Sequence, residues 1–174
     1  HFCGLSMGGL IGVALAARHA DRFDRFVLAH TAARLGAPEI WQARARQARE
    51  QGARSLADAT LKRWFTDAFA EREPLLVAMI RDAFAHMDDE GYASNCEAIG
   101  AADLRAEAGA IHAPTLVMTG RGDPSVAPEL TRALAEAIAG ARFVELDAQH
   151  LSNIERADEF TQTVLGFLTG PIAH

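Results

Sequence analysis

Apolar positions come in short continuous runs near both ends of the chain and at helical spacing through its middle. His1-Phe2-Cys3-Gly4-Leu5 is a short apolar run that meets the tight Gly4-Leu5-Ser6-Met7-Gly8-Gly9, and Leu10 to Arg18 is small and apolar, as in a buried helix. After the polar turn 21–25, Phe26-Val27-Leu28-Ala29-His30 reads as a second strand, a short apolar run bounded by polar signals. Continuous rather than alternating apolar runs suit strands buried on both faces. Strand, helix, strand is the grammar of a parallel α/β sheet.

From Ala33 to about Gly109 the pattern is helical, with Pro38, Gly52, Pro74 and Gly91 marking breaks. The clearest helix runs from Pro74 to Met87, where Leu76, Met79, Ile80, Ala83, Phe84 and Met87 fall three or four apart and predict one packed face. A helical insert between strands reads as a cap over residues 34–109. Strand character returns at Pro114-Thr115-Leu116-Val117-Met118-Thr119-Gly120, followed by the loop Arg121-Gly122-Asp123 and a helix from Pro128 to near Gly140. Residues 142–147 predict a fourth strand. Ser152-x-x-Glu155 has the spacing of a capping box, which predicts a last helix from Asn153 to Leu168. The expected architecture is α/β: four parallel strands, with residues 1–33 and 110–174 forming the sheet part and the cap inserted after the second strand.

Composition adds exclusions. At 49% apolar and 23% charged residues over 174 positions, the chain has the makings of a buried core. A net charge of −6 argues against a nucleic-acid partner, which would need a basic stripe. The apolar run from Phe2 to Ala17 is broken by Ser6 and glycines and is shorter than the roughly 18–20 residues of a spanning helix, so no membrane partner is expected. Cys3 and Cys96 stand apart from each other and from any CxxC or Cys/His cluster. They read as free thiols of a reducing, cytoplasmic compartment, and no metal site is expected. The first residue is a histidine with no basic leader behind it, which reads as a cut rather than a native start.

The candidate chemistry begins at Gly4-x-Ser6-x-Gly8. A Gly-x-Ser-x-Gly pentapeptide between a strand and a helix is the context of a nucleophile elbow, in which the flanking glycines let the chain double back. Such a turn exposes the serine hydroxyl at the strand's carboxyl end, and the N–H of Met7 at the start of the helix becomes a candidate oxyanion donor. A serine hydroxyl needs a base, and the base an orienting carboxylate. Among seven histidines, His1 and His174 are terminal, His19 and His112 sit at polar junctions, and His86 lies on a cap helix beside acids. His30 ends the second strand and could border the pocket, with capping or packing the more expected role. His150 follows the fourth strand in a loop before a helix, at the sheet edge to which Ser6 points, and is the candidate base. For the acid, Asp123 follows the third strand by three residues. Asp147 is expected to bond its own turn, and Asp103 belongs to the cap's last helical start. The chain order Ser6, Asp123, His150 is the one α/β-hydrolases use.

Three stretches then carry a resemblance. His1-Phe2-Cys3-Gly4-Leu5-Ser6-Met7-Gly8-Gly9-Leu10, Arg63-Trp64-Phe65-Thr66 and Leu146-Asp147-Ala148-Gln149-His150-Leu151-Ser152-Asn153-Ile154-Glu155 resemble the 3-oxoadipate enol-lactonases, α/β-hydrolases of the β-ketoadipate pathway. The resemblance runs nearly end to end. It implies cofactor-free hydrolysis of a small anionic enol-lactone to 3-oxoadipate in bacterial degradation of aromatic compounds. It also implies that these residues are the C-terminal part of the fold. Some eighty to ninety further residues are expected before the elbow, including the His-Gly loop of the second oxyanion N–H, and that N-terminal segment would be a partner of this one.

Substrate contacts are less legible. Trp41 and Trp64 are candidate pocket walls. Arg34, Arg44, Arg46, Arg49 and Arg63 are candidates for a substrate carboxylate. A serine at the elbow excludes chemistry that needs an aspartate there. The alternatives left open are another small-molecule carboxylesterase or C–C bond hydrolase with the same triad, or a non-catalytic fragment that requires its missing N-terminal half.

Overall fold

The computed structural model describes residues 1–171, so His174 lies outside the described residues. It divides into two compact units, one of residues 1–34 with the chain from 103 onward, the other of residues 35–102. The expected boundary at 109/110 therefore moves back to 102/103. The segment in question forms the short helix α7, Arg105–Ala108, whose Glu107 is held by a two-pronged ion pair to Arg18 at 2.8 Å for each bond. Helical propensity looks alike in either unit, and long-range ties such as this pair and the Leu104 N–H bond to Ala33 reveal where the segment belongs.

In the first unit β1 (Phe2–Leu5), β2 (Phe26–Ala29), β3 (Thr115–Gly120) and β4 (Arg142–Leu146) form a parallel sheet in the order β1-β2-β3-β4. Gly4 is in register with Leu28, Leu28 with Val117, and Val117 with Phe143. All residues of β2 and β3 are buried, which explains their uninterrupted apolar character. Helix α1 (Met7–Arg18) packs on β1 and β2, and α8 (Pro128–Ala137) packs on β3. Val27, Ala29, Leu116, Met118 and Leu146 meet Phe167, Phe160 and Val164 of α10 (Ala157–Thr169). Burying each large side chain there contributes about 1.5–3 kcal/mol. Arg25 donates to the carbonyls of Phe167 and Gly170, placing a positive charge at the carboxyl end of α10, where the helix dipole favours it.

The predicted last helix is two. Helix α9 covers only Ser152–Glu155, and the chain breaks at Arg156 (φ −129°, ψ 49°) before α10 begins. The expected capping box does not form. Ser152 and Glu155 direct their side chains elsewhere, as described below.

The second unit is helical throughout: α2 (Pro38–Gln51), α3 (Ala57–Trp64), α4 (Asp67–Arg72), α5 (Pro74–Ala85) and α6 (Asp89–Ala101). Its core sets Ala45 and Ala48 of α2 against Ala93 and Cys96 of α6, with Leu56, Ala57 and Phe84 around them. The small residues let the two helices pack closely, and Arg49 bridges them through Glu90 and Glu97. Asp88 caps α6 and Thr66 caps α4. The expected packed face of α5 is largely open: Phe84 is buried, but Met79 is 70% exposed and Leu76 and Met87 are exposed too.

Candidate active site

All four strands run the same way, so the loops after them gather at one sheet edge. The first loop is the turn at Ser6, whose backbone adopts φ 57° and ψ −117°. Its N–H donates to Ala29 O at 2.9 Å, and its carbonyl accepts the first bond of α1, from Leu10 N–H at 2.9 Å. A Cβ on Gly4 would lie 2.3 Å from the Gly8 carbonyl oxygen, so the turn closes only with glycine at position 4. Gly8 is different. A Cβ there meets nothing within 4 Å, so the expected need for a small residue on both sides of the serine holds on one side only. It is the backbone of Gly8, not its missing side chain, that fills the space beside Gly4. Met7 opens α1, so its N–H has no intrahelical acceptor and points out of the helix start.

The second group gathers around Asp123, in the loop after β3. Asp123 Oδ1 accepts from the N–H groups of Ser125 (2.8 Å) and Val126 (3.1 Å), and Oδ2 accepts from His150 Nδ1 at 2.8 Å. Both side chains are buried. Burial alone would raise the Asp123 pKa, but the hydrogen bonds from His150 and His30 outweigh it and hold the carboxyl well below its ordinary range. An ionised carboxylate accepts only, so His150 carries its proton on Nδ1 and leaves Nε2 free to accept one. The loop carrying His150 is pressed on the end of β3. A Cβ on Gly120 would lie 2.4 Å from the Ala148 carbonyl oxygen, Gly122 N–H donates to that same oxygen at 3.1 Å, and Glu155 receives the Gln149 N–H at 3.0 Å.

His30 is the residue whose role the sequence under-weights. It neither caps nor merely packs: its Nδ1 lies 2.9 Å from the same Asp123 Oδ2, and its Nε2 lies 2.6 Å from Ser152 Oγ. The local signal, a histidine at the carboxyl end of a buried strand, was visible; its partners, far along the chain, were not. His30, Asp123 and His150 bring potential ligand atoms within 4.8 Å of one another. Here each Nδ1 faces Oδ2 at hydrogen-bond length, 2.9 Å from His30 and 2.8 Å from His150.

A strained serine at a strand-to-helix turn and a buried carboxylate–imidazole pair after later strands are the layout of one fold family, and the family profile for the alpha/beta hydrolase fold matches residues 1–157. The chain belongs to the alpha/beta-hydrolase fold family. It is 40% identical over 163 residues to 3-oxoadipate enol-lactonase 2 of Acinetobacter baylyi, covering 94% of this chain and 61% of that protein. The crystal structure of the enol-lactonase from Burkholderia xenovorans LB400 superimposes with a TM-score of 0.95 at 64% identity, over 97% of this chain and 65% of that one. A thermophilic esterase from Thermogutta terrifontis, solved with malate bound, gives 0.88 at 29% identity, over 95% of this chain and 63% of that one. The chain thus spans less than two thirds of each of these relatives.

The other candidates in this alpha/beta-hydrolase chain go elsewhere. Asp147 is exposed and pairs with Arg156 at 3.0 Å, while Asp103 pairs with Arg105 at 2.6 Å and lies 3.8 Å from Arg34. Neither touches His150 Nδ1, which Asp123 occupies. In the helical unit, Trp41 donates to the Leu35 carbonyl and Trp64 meets Phe84 edge to face at 5.5 Å, so both pack within their own unit. Arg49 is taken up by two glutamates. Arg44 bonds Tyr92 and Thr60, and Arg63 has a buried Nε without a hydrogen-bond partner, its pKa lowered by burial and by the neighbouring Arg44. Among the described residues no helix is long and apolar enough to cross a membrane.

Proposed function

We propose that this protein is a serine hydrolase that opens an enol-lactone, converting 3-oxoadipate enol-lactone to 3-oxoadipate. The observation that carries the reading is the buried Asp123–His150 hydrogen bond at the same sheet edge as the strained Ser6 turn. In this reading Ser6 Oγ attacks the lactone carbonyl while its proton passes to His150 Nε2. The oxyanion accepts a hydrogen bond from Met7 N–H. As the tetrahedral intermediate collapses, the ring C–O bond breaks and His150 returns the proton to the enol oxygen. The enol then tautomerises to the ketone, and water, deprotonated by the same imidazole, cleaves the acyl-serine bond. The sum is lactone plus water giving the keto acid, and no cofactor enters the balance. Asp123 orients His150 and stabilises the imidazolium. The similarity to two enol-lactonases favours this substrate. The 29% identity to an esterase supports a second reading, a simple carboxylesterase with the same three residues.

Turnover of a panel holding 3-oxoadipate enol-lactone, neutral lactones and p-nitrophenyl esters separates them. We expect the enol-lactone to have the highest kcat/KM, a fluorophosphonate probe to label Ser6, and Ser6→Ala to abolish both labelling and turnover. Preference for the simple esters would favour the second reading. Turnover that survives Ser6→Ala would remove both.

A further inference from the structure

We propose that His30 is a positioning residue of the hydrolytic site: its Nε2 accepts a hydrogen bond from the Ser152 hydroxyl, its Nδ1–H donates to the Asp123 oxygen that also holds His150, and it so clamps the base loop to the carboxylate. This role rests on the serine-hydrolase reading above, whereas the hydrogen-bond chain itself does not.

Three observations point the same way. First, His30 is strained. Its φ of 49° is left-handed, an uncommon state for a residue with a Cβ and one that concentrates where function demands a particular placement. Its N–H is fixed to the Met118 carbonyl at 2.7 Å, so the backbone cannot relax without breaking the link to β3. Second, the side chain is fully buried, yet both ring nitrogens have partners. Packing alone would be met by an apolar side chain of the same size, with no polar group to satisfy. Third, the proton inventory closes for a neutral ring. Asp123 is ionised and accepts, so Nδ1 of His30 donates. A neutral ring then accepts at Nε2, and the Ser152 hydroxyl must be the donor.

The result is a closed circuit across three loops. Ser152 donates to His30, His30 to Asp123, and His150 to Asp123, while Ser152 lies two residues after His150 in the chain. The segment 150–152 is thereby pinned at both ends to one carboxylate, directly at His150 and through His30 at Ser152. The two imidazole rings lie 5.5 Å apart, edge to face. Burial first, and the neighbouring His150 in addition, push His30 below the usual histidine range, against the pull of Asp123. His30 therefore supplies a donor without a second positive charge, and the imidazolium formed on His150 during the reaction keeps the carboxylate's attraction to itself.

The test combines kinetics with a signature that folding alone does not move. His30→Leu should lower kcat, and the rate of Ser6 labelling by a fluorophosphonate, by about tenfold to hundredfold, with KM changed less than about twofold, the scale of losing a hydrogen bond to a charged group. In His30→Asn the amide nitrogen can stand where Nδ1 stood, and most of the rate should return. Ser152→Ala should cost about threefold. Independently, ¹⁵N-histidine spectra of the protein should assign His30 as the Nδ1–H tautomer with an acceptor-bonded Nε2, and Ser152→Ala should shift that Nε2 alone. Wild-type kcat in a folded His30→Leu variant, or an Nε2–H tautomer at His30, would overturn the proposal while leaving the hydrolase reading intact. Turnover that survives Ser6→Ala would instead remove the hydrolase reading, and with it the catalytic purpose of the clamp, even if the tautomer assignment held.

Discussion

The ends of β1 and β2 offer a comparison within one sheet. Each neighbouring strand finishes on a residue other than glycine with positive φ, Ser6 at 57° and His30 at 49°, and the two turns touch through the Ser6 N–H bond to Ala29. Their strain is held by different means. At Ser6 the backbone does the work: glycine at position 4 admits the Gly8 carbonyl, and α1 starts at once. At His30 distant partners do it, through the N–H bond to Met118 and two buried side-chain hydrogen bonds to residues 93 and 122 positions away. Strain held by local sterics can be read from a pentapeptide. Strain held by distant partners cannot, although both serve the same sheet edge.

Asp123 joins the end of β2 to the loop that carries His150, so removing its charge should have the largest effect. Asp123→Asn should lower turnover by about 10⁴-fold, because an amide presents the wrong group to Nδ1 of His150 and of His30 alike. Asp147→Asn, which loses only an exposed pair with Arg156, should stay within a few-fold of wild type. Steady-state kinetics of the two variants decides, and the reverse ranking would reassign the acid.

A second pair of variants separates the two kinds of strain directly. Glycine tolerates positive φ, so Ser6→Gly should abolish turnover yet raise stability by about 1 kcal/mol, since the backbone strain is relieved at little cost in packing. His30→Gly relieves similar strain but deletes a buried ring and leaves Ser152 and Asp123 short of a partner. It should destabilise by about 3 kcal/mol. Urea unfolding measures both; the same sign for both variants would show that the two turns are held alike.

Much of this arrangement was legible beforehand. The four strands and their parallel sense followed from short apolar runs, and the loops that end β3 and β4 pointed to the Asp123–His150 pair. At the start of α9 the capping-box partners lost to others. Ser152 and Glu155 have capping-box spacing, but the hydroxyl meets His30 and the carboxylate meets the Gln149 N–H, and the helix breaks at Arg156. On α5, periodicity identified the apolar stripe correctly, yet Met79 stays largely exposed, because amphipathicity states which face is apolar and not what covers it.

The smallest expected effect is in acid, and it tests His30 apart from the chemistry. His30 has its pKa lowered in the folded protein by burial, so below its unfolded value of about 6.5 the unfolded chain takes up a proton that the folded one refuses. Stability then rises with pH across this window, and falls as pH drops from about 6.5 toward the folded pKa, by at most about 1.4 kcal/mol per pH unit for one proton. Asp123 is also lowered, but its loss begins only near its unfolded value of about 4, so the two windows open at different pH. The groups facing His30 are Asp123 from the loop after β3, His150 from the loop after β4 and the uncharged Ser152 of α9. In His30→Asn the upper window should vanish while the lower one remains, because the amide still donates to Asp123 and does not titrate. Chemical denaturation of wild type and variant between about pH 7 and pH 4 gives the difference. Parallel curves across that range would mean that His30 binds protons equally in the folded and unfolded states; a wild type that gains stability relative to the variant as pH falls would mean that the Nδ1–H bond to Asp123 is an ion pair.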